Sequence, residues 1–117
     1  MSALGDAELL PQIEAGLQTT LRFGSDEVDS LCCGNAGRID ILISLAARLG
    51  RPALLERAQH LAAAALAKKI AADDWRYLWQ LPRGVFHPTL FQGAAGIGYT
   101  LLRLALPGRL PSILLME

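Results

Sequence analysis

Leu31-Cys32-Cys33-Gly34-Asn35-Ala36-Gly37 runs directly into Ile39, Ile41, Leu42, Ile43, Leu45 and Ala46, and this stretch decides how the chain is read. Its small residues open a helix, and the apolar residues that follow leave that helix almost no polar face. A helix apolar nearly all round is expected to be buried on nearly all sides. Asn35 is the expected N-cap and residues 36–49 the helix, with Gly50 as its stop and Pro52 opening the next. The pattern returns further on. Gly93-Ala94-Ala95-Gly96 repeats the Gly-x-Ala-Gly of residues 34–37 and precedes a second apolar helix with Ile97, Tyr99, Leu101, Leu102, Leu104 and Leu106. Taken alone, such glycines need do no more than let helices approach closely.

Outward from these two helices the sequence turns amphipathic. Between Pro52 and about Ala72, Leu54, Ala58, Leu61 and Ala65 fall on one stripe, while Glu56, Arg57 and Lys68 lie off it. Before them, Asp6 is the expected cap of a first helix ending near Phe23, with Pro11 tolerated because it lies near the first turn. Buried and amphipathic helices therefore alternate, as inner helices ringed by outer ones would. The fold class is all-α. Trp75, Tyr77 and Trp79 alternate with Arg76 and Leu78, which predicts a short extended segment near residues 75–79. Residues 113–116 are a short apolar stretch, read as a strand.

Composition narrows the partners. Of 117 residues, 52% are hydrophobic and 19% charged, an oily balance for a chain able to build only one small core. Net charge is zero and no Lys/Arg block is dense, so nucleic acid and anionic membrane surfaces are not favoured. The most apolar run, Tyr99 to Leu106, contains Arg103 and stops at Pro107, far short of the about 20 residues a span needs. The first six residues lack the basic and apolar regions of a secretion signal, so the expectation is a cytoplasmic protein with reduced thiols. Gly93, Gly96 and Gly98 reverse the order of a dinucleotide fingerprint, with no strand before them, and are not read as a nucleotide site.

Carboxylates and histidines offer less. Asp26, Glu27 and Asp29 read as loop solvation, and Asp73-Asp74 as a helix end. Asp40 stands on the first apolar helix with Ser44 at i+4, a polar group either on the inner wall or at a wet edge. His60 lies mid-way along the amphipathic helix and is read as exposed or half-buried. His87 precedes Pro88 and the last helix, where a loop role is favoured and a place at the same mouth as the cysteines is the weaker candidate. Trp75, Tyr77 and Trp79 are read as anchors of the long connection rather than as a peptide-stacking platform.

The only two cysteines, Cys32 and Cys33, are adjacent. That is too close for an ordinary stapling disulfide and outside the usual chelating spacing, so spacing alone favours two buried structural thiols. The flanking residues shift the reading. Leu31-Cys32-Cys33-Gly34-Asn35-Ala36-Gly37 resembles the Cys-Cys-Gly metal motif of lanthionine synthetase C-like (LanC-like) cyclases. Residues 91–99, FQGAAGIGY, with Leu102-Arg103-Leu104-Ala105 resemble the last inner helix of that family. The ending, Leu110-Pro111-Ser112-Ile113-Leu114-Leu115-Met116-Glu117, looks like the terminus of class II bifunctional lanthipeptide synthetases.

The resemblance implies a partial α/α toroid, with residues 1–117 as a single C-terminal segment of a cyclase domain. It implies a Zn²⁺ cofactor with Cys32 and Cys33 as metal ligands. The reaction it implies is addition of a cysteine thiol of a lanthipeptide precursor to a dehydroalanine or dehydrobutyrine, closing a thioether. A catalytic zinc takes three protein ligands and one open position, and the third cysteine of the family pattern is missing from these 117 residues. The family's acid–base histidine and aspartate match nothing here either. The expected partners are therefore the precursor peptide and either the missing upstream cyclase segment or a second copy of the chain. The alternative is a non-catalytic remnant or peptide-binding module of the same fold.

Overall fold

A computed structural model describes residues 6–117; the side chain of Asp6, and so its capping role, lies outside the described residues. Four helices follow in order: α1, Asp6–Phe23; α2, Asn35–Arg48; α3, Pro52–Ala72; and α4, Ala94–Ala105. Local chemistry sets their ends. Gly50 turns the chain left-handed at φ 61° between α2 and α3, and Pro52 takes the first position of α3, where its missing N–H costs nothing. Asp73 closes α3 in the same left-handed conformation, with its N–H donating to the Lys69 carbonyl.

The helix α2 is the centre of the fold, packed against both α3 and α4, while α3 and α4 scarcely meet. One core joins α2 to α3: Ile39, Leu42, Ile43 and Ala46 meet Leu54, Ala58 and Ala62, with Leu17 of α1 inserted. A second gathers Leu31, Ala36, Tyr77 and Ile97 where the loops before α2 and α4 come together. The first helix is held more lightly. Besides Leu17 it contributes the Glu14–Arg51 ion pair at 2.8 Å, and Leu10 and Phe23 remain exposed.

The two apolar helices begin by the same device. Gly34 and Gly93 have φ/ψ of −134°/−156° and −133°/−161°. The N–H after each donates back seven residues, Asn35 to the Val28 carbonyl at 2.9 Å and Ala94 to that of His87 at 2.7 Å. A Cβ on Gly34 would stand 2.3 Å from the Val28 oxygen, and one on Gly93 2.1 Å from the His87 oxygen. Gly37 and Gly96 repeat the relation against Leu31 and Leu90 at 2.3 and 1.9 Å. Close approach of backbone to backbone leaves no room for a methyl group at any of the four. The repeat is structural as well as compositional.

Several expectations need correction. Asn35 does not cap α2. Gly34 holds that position without a side-chain cap, and the Asn35 amide turns back to the Asp26 carbonyl and Asp29 Oδ1, both at 2.9 Å. No strand occurs among the described residues. The Trp75–Trp79 segment is pinned by two bonds to Asp29, whose N–H donates to the Arg76 carbonyl at 2.7 Å and whose Oδ2 accepts the Arg76 N–H at 3.0 Å. Residues 113–116 form a turn. Asp29 is buried rather than solvated, paired with Lys68 at 2.9 Å. Nor is α4 covered all round, since Ala95, Gly98, Leu102 and Ala105 face solvent.

Candidate functional site

The cysteines sit on the turn that leads into α2. Backbone bonds tie this turn inward, from Gly34 N–H to the Ser30 carbonyl at 2.9 Å and from Ala36 N–H to the Asp29 carbonyl at 3.2 Å. A further bond ties it sideways, because Cys32 N–H donates to the carbonyl of Phe91 at 2.9 Å. The turn before α2 is thereby docked on its own repeat before α4.

Both thiols are free and exposed, against the expectation from spacing that they are buried structural groups. Gly34 packs closely on the Val28 carbonyl at the start of α2, and the two cysteine side chains just before it stay exposed. Their sulfurs lie 2.6 Å apart in a thiol–thiol contact, with the Ser30 hydroxyl 3.9 Å from Cys32 Sγ. That shared hydrogen bond, then burial and the charge on Cys32, push the Cys33 thiol above its ordinary 9.0. The pair opens on a cavity of about 270 Å³, whose other walls include Thr20, Gly37, Arg38, Ile41 and Leu114. Arg38 is not loose at this rim. Its guanidinium lies 4.5 Å over the Phe23 ring and pairs with Asp26 at 3.0 Å. Burial opposes charge on Asp26, yet Arg38 and the Glu27 and Val28 amides hold it below its usual range.

Two soft sulfur donors on one turn, free of any disulfide and open to a cavity, suit a thiophilic metal such as zinc. They make part of a site. Among the described residues no group of three or more His, Cys, Asp or Glu gathers that could hold a metal ion.

His87 is half-buried, with Nδ1 3.0 Å from the Thr89 hydroxyl and its ring 6.2 Å from that of Tyr77. It is not among the residues lining the cysteine cavity. His60 is exposed on α3, as its place on the helix predicts. Of the aromatic trio, Tyr77 is buried and Trp75 packs beside it, so these two anchor the connection, whereas Trp79 is 53% exposed.

The sequence reading missed what surrounds Asp40. Asp40 is buried and pairs with Arg103 of α4, itself 4% exposed. Arg103 also donates to the Asp40 carbonyl and to Ser44 Oγ, each at 3.1 Å, and the Ser112 hydroxyl donates to the second Asp40 oxygen. Asp40 is thus buried between α2 and α4 rather than at a wet edge. The available signal was Asp40, the one acidic residue of α2, and Arg103, the one charged residue of α4.

No helix is long and apolar enough to cross a membrane, among the residues described. Compared with protein families, residues 1–115 match the model for lanthionine synthetase C-like protein. Among curated proteins and among solved structures nothing matches the chain.

Proposed function

This chain belongs to the lanthionine synthetase C-like family, and from that membership we propose that it supplies two of the three thiolate ligands of a lanthionine cyclase zinc site. The observation that carries the reading is the pair of free thiols, side by side at the mouth of a cavity. When bound, zinc would lower the pKa of a substrate thiol so that a thiolate is present at neutral pH. The third thiolate and the proton donor would come from outside these residues, from an upstream cyclase segment of the class II type, in the cytoplasm.

The reaction is an addition. A cysteine sulfur of the precursor peptide forms a C–S bond to the β-carbon of a dehydroalanine or dehydrobutyrine. The electron pair of the C=C bond moves to the α-carbon, and the resulting enolate takes up a proton. Within this chain, Cys32 and Cys33 would hold the metal and Gly34 and Gly37 would keep their turn tight against the backbone. Leu31, Ile41 and Leu114 would give the cavity an apolar lining that limits water around the reacting sulfur. His87, held by Thr89 and set against Tyr77, is assigned no part.

The two-donor count favours a second reading, a peptide-binding module without turnover. Joining the chain to a family segment that bears the third cysteine separates them. The joined protein should close thioethers in a dehydrated precursor, counted by mass spectrometry after alkylation of remaining thiols, and Cys32→Ala or Cys33→Ala should abolish closure and zinc binding together. A folded, zinc-loaded assembly no faster than the uncatalysed reaction overturns the cyclase reading.

A further inference from the structure

We infer that the C-terminal turn, residues 112–117, is a wall of the cysteine cavity, and that Leu114 on it sets the size of the thiol-bearing or dehydrated peptide segment that reaches Cys32 and Cys33. The inference rests on the cysteine cavity being the reaction site and names what limits access to it. Leu114 lines that cavity together with both cysteines. It reaches the first turn of α2, where its Cδ1 would stand 3.6 Å from a Cβ on Gly37. The bare backbone at Gly37 thus lies close to both the Leu31 carbonyl and the Leu114 side chain.

The turn is held by polar bonds more than by burial. Leu115 and Met116 are 39% and 92% exposed. At its start, Ser112 Oγ donates to Asp40, Arg103 Nε donates to the Leu110 carbonyl at 3.1 Å, and Tyr99 OH donates to the Pro111 carbonyl at 2.8 Å. At its end, the Glu117 side chain accepts from Ser112 N–H at 2.8 Å and from Arg48 at 2.9 Å, with Arg103 at 3.6 Å. Leu115 N–H donates to Ser112 Oγ at 3.1 Å, so one hydroxyl joins the turn to the buried pair. A buried ion pair adds little stability over an apolar replacement of the same shape, but it fixes orientation when every partner is satisfied. Here the orientation fixed is that of the backbone carrying Leu114.

The test is size-selective alkylation of the chain's thiols, read as the rate with a bulky maleimide divided by the rate with iodoacetamide. Leu114→Ala should raise this ratio severalfold and Leu114→Trp should lower it, at unchanged helix content by circular dichroism. Glu117→Gln and Ser112→Ala, which release the turn without touching the cavity, should move it in the direction of Leu114→Ala. Leu102→Ala, on the solvent face of α4, should leave it unchanged. A ratio indifferent to both Leu114 variants, or both rates rising together as they would on general loosening, overturns the inference. Because the readout needs no metal, it can succeed even where zinc titration refutes the cyclase reading.

Discussion

The helices α2 and α4 enter through the same turn and then meet different surroundings. Ala36, Ile39, Ile43 and Ala46 of α2 are all buried. The residues that correspond to them in the repeat, Ala95, Gly98, Leu102 and Ala105 of α4, all face solvent. The cause lies outside the helices. Behind α2 runs α3, whose Leu54, Ala58 and Ala62 share a core with Ile39, Ile43 and Ala46. No described helix stands behind α4 in that way. An inner helix of this kind is apolar on more faces than one neighbour can cover, and burial depends on which neighbour is present.

Replacing one corresponding pair puts the comparison at greatest risk. Ile43→Ala should cost about 2–5 kcal/mol, because it leaves a hole in the α2–α3 core. Leu102→Ala, already 54% exposed, should shift stability by no more than about 0.5 kcal/mol. Urea unfolding of both variants measures the two costs side by side. Equal costs would mean that the α4 stripe is covered in solution and that the asymmetry is lost there.

The shared turn should respond alike in both places. Gly34→Ala and Gly93→Ala would each force a methyl group against a carbonyl oxygen, and each should destabilise by about 1–3 kcal/mol. Gly98→Ala meets nothing within 4 Å and should instead stabilise α4 by about 0.5–1 kcal/mol. Thermal melts of the three variants distinguish glycines held by close approach from one that is merely helical.

How much of this could be read from the sequence follows from the range of each interaction. Gly50, Pro52 and the apolar periodicity act within a few residues, and α2 and α3 fall where these signals place them. Asn35 was misread because an amide next to a helix start looks like a cap, while its real partners are Asp26 and Asp29 in the preceding loop. The alternation around Tyr77 pointed to a strand-like segment, but the backbone pairing there joins Arg76 to the single residue Asp29 and forms no ladder. Hydrophobicity alone could not reveal that one face of α4 lacks a partner. Nor could it pair Asp40 with Arg103, 63 positions away. At the cysteine site, the motif located the turn, but its close approach to Val28 and its bond to Phe91 of the second repeat come from residues that the motif does not contain.

The smallest expected effect concerns the polar bridge between the repeats. Ser112 N–H, followed by Arg48 and Arg103, holds the Glu117 carboxyl below the ordinary glutamate value of 4.5, although burial opposes this. The carboxylate therefore contributes its full stabilisation above pH 4.5 and loses it as pH falls through the depressed folded value. The effect should stay below about 1 kcal/mol, as expected for a partly exposed pair. Urea midpoints of the wild-type chain should fall more steeply across that acid window than those of Glu117→Gln. Parallel curves would mean that the bridge adds nothing to the joining of α2 and α4.

The bond from Cys32 N–H to the Phe91 carbonyl also sets a schedule. A ribosome adds about 5–20 residues per second, so Phe91 is made some 3–12 s after Cys32. During that interval the two thiols belong to a nascent loop whose last backbone partner does not yet exist. Their early encounters with oxidants, stray metal ions or chaperones are then governed by the pace of translation, before the finished fold has any say.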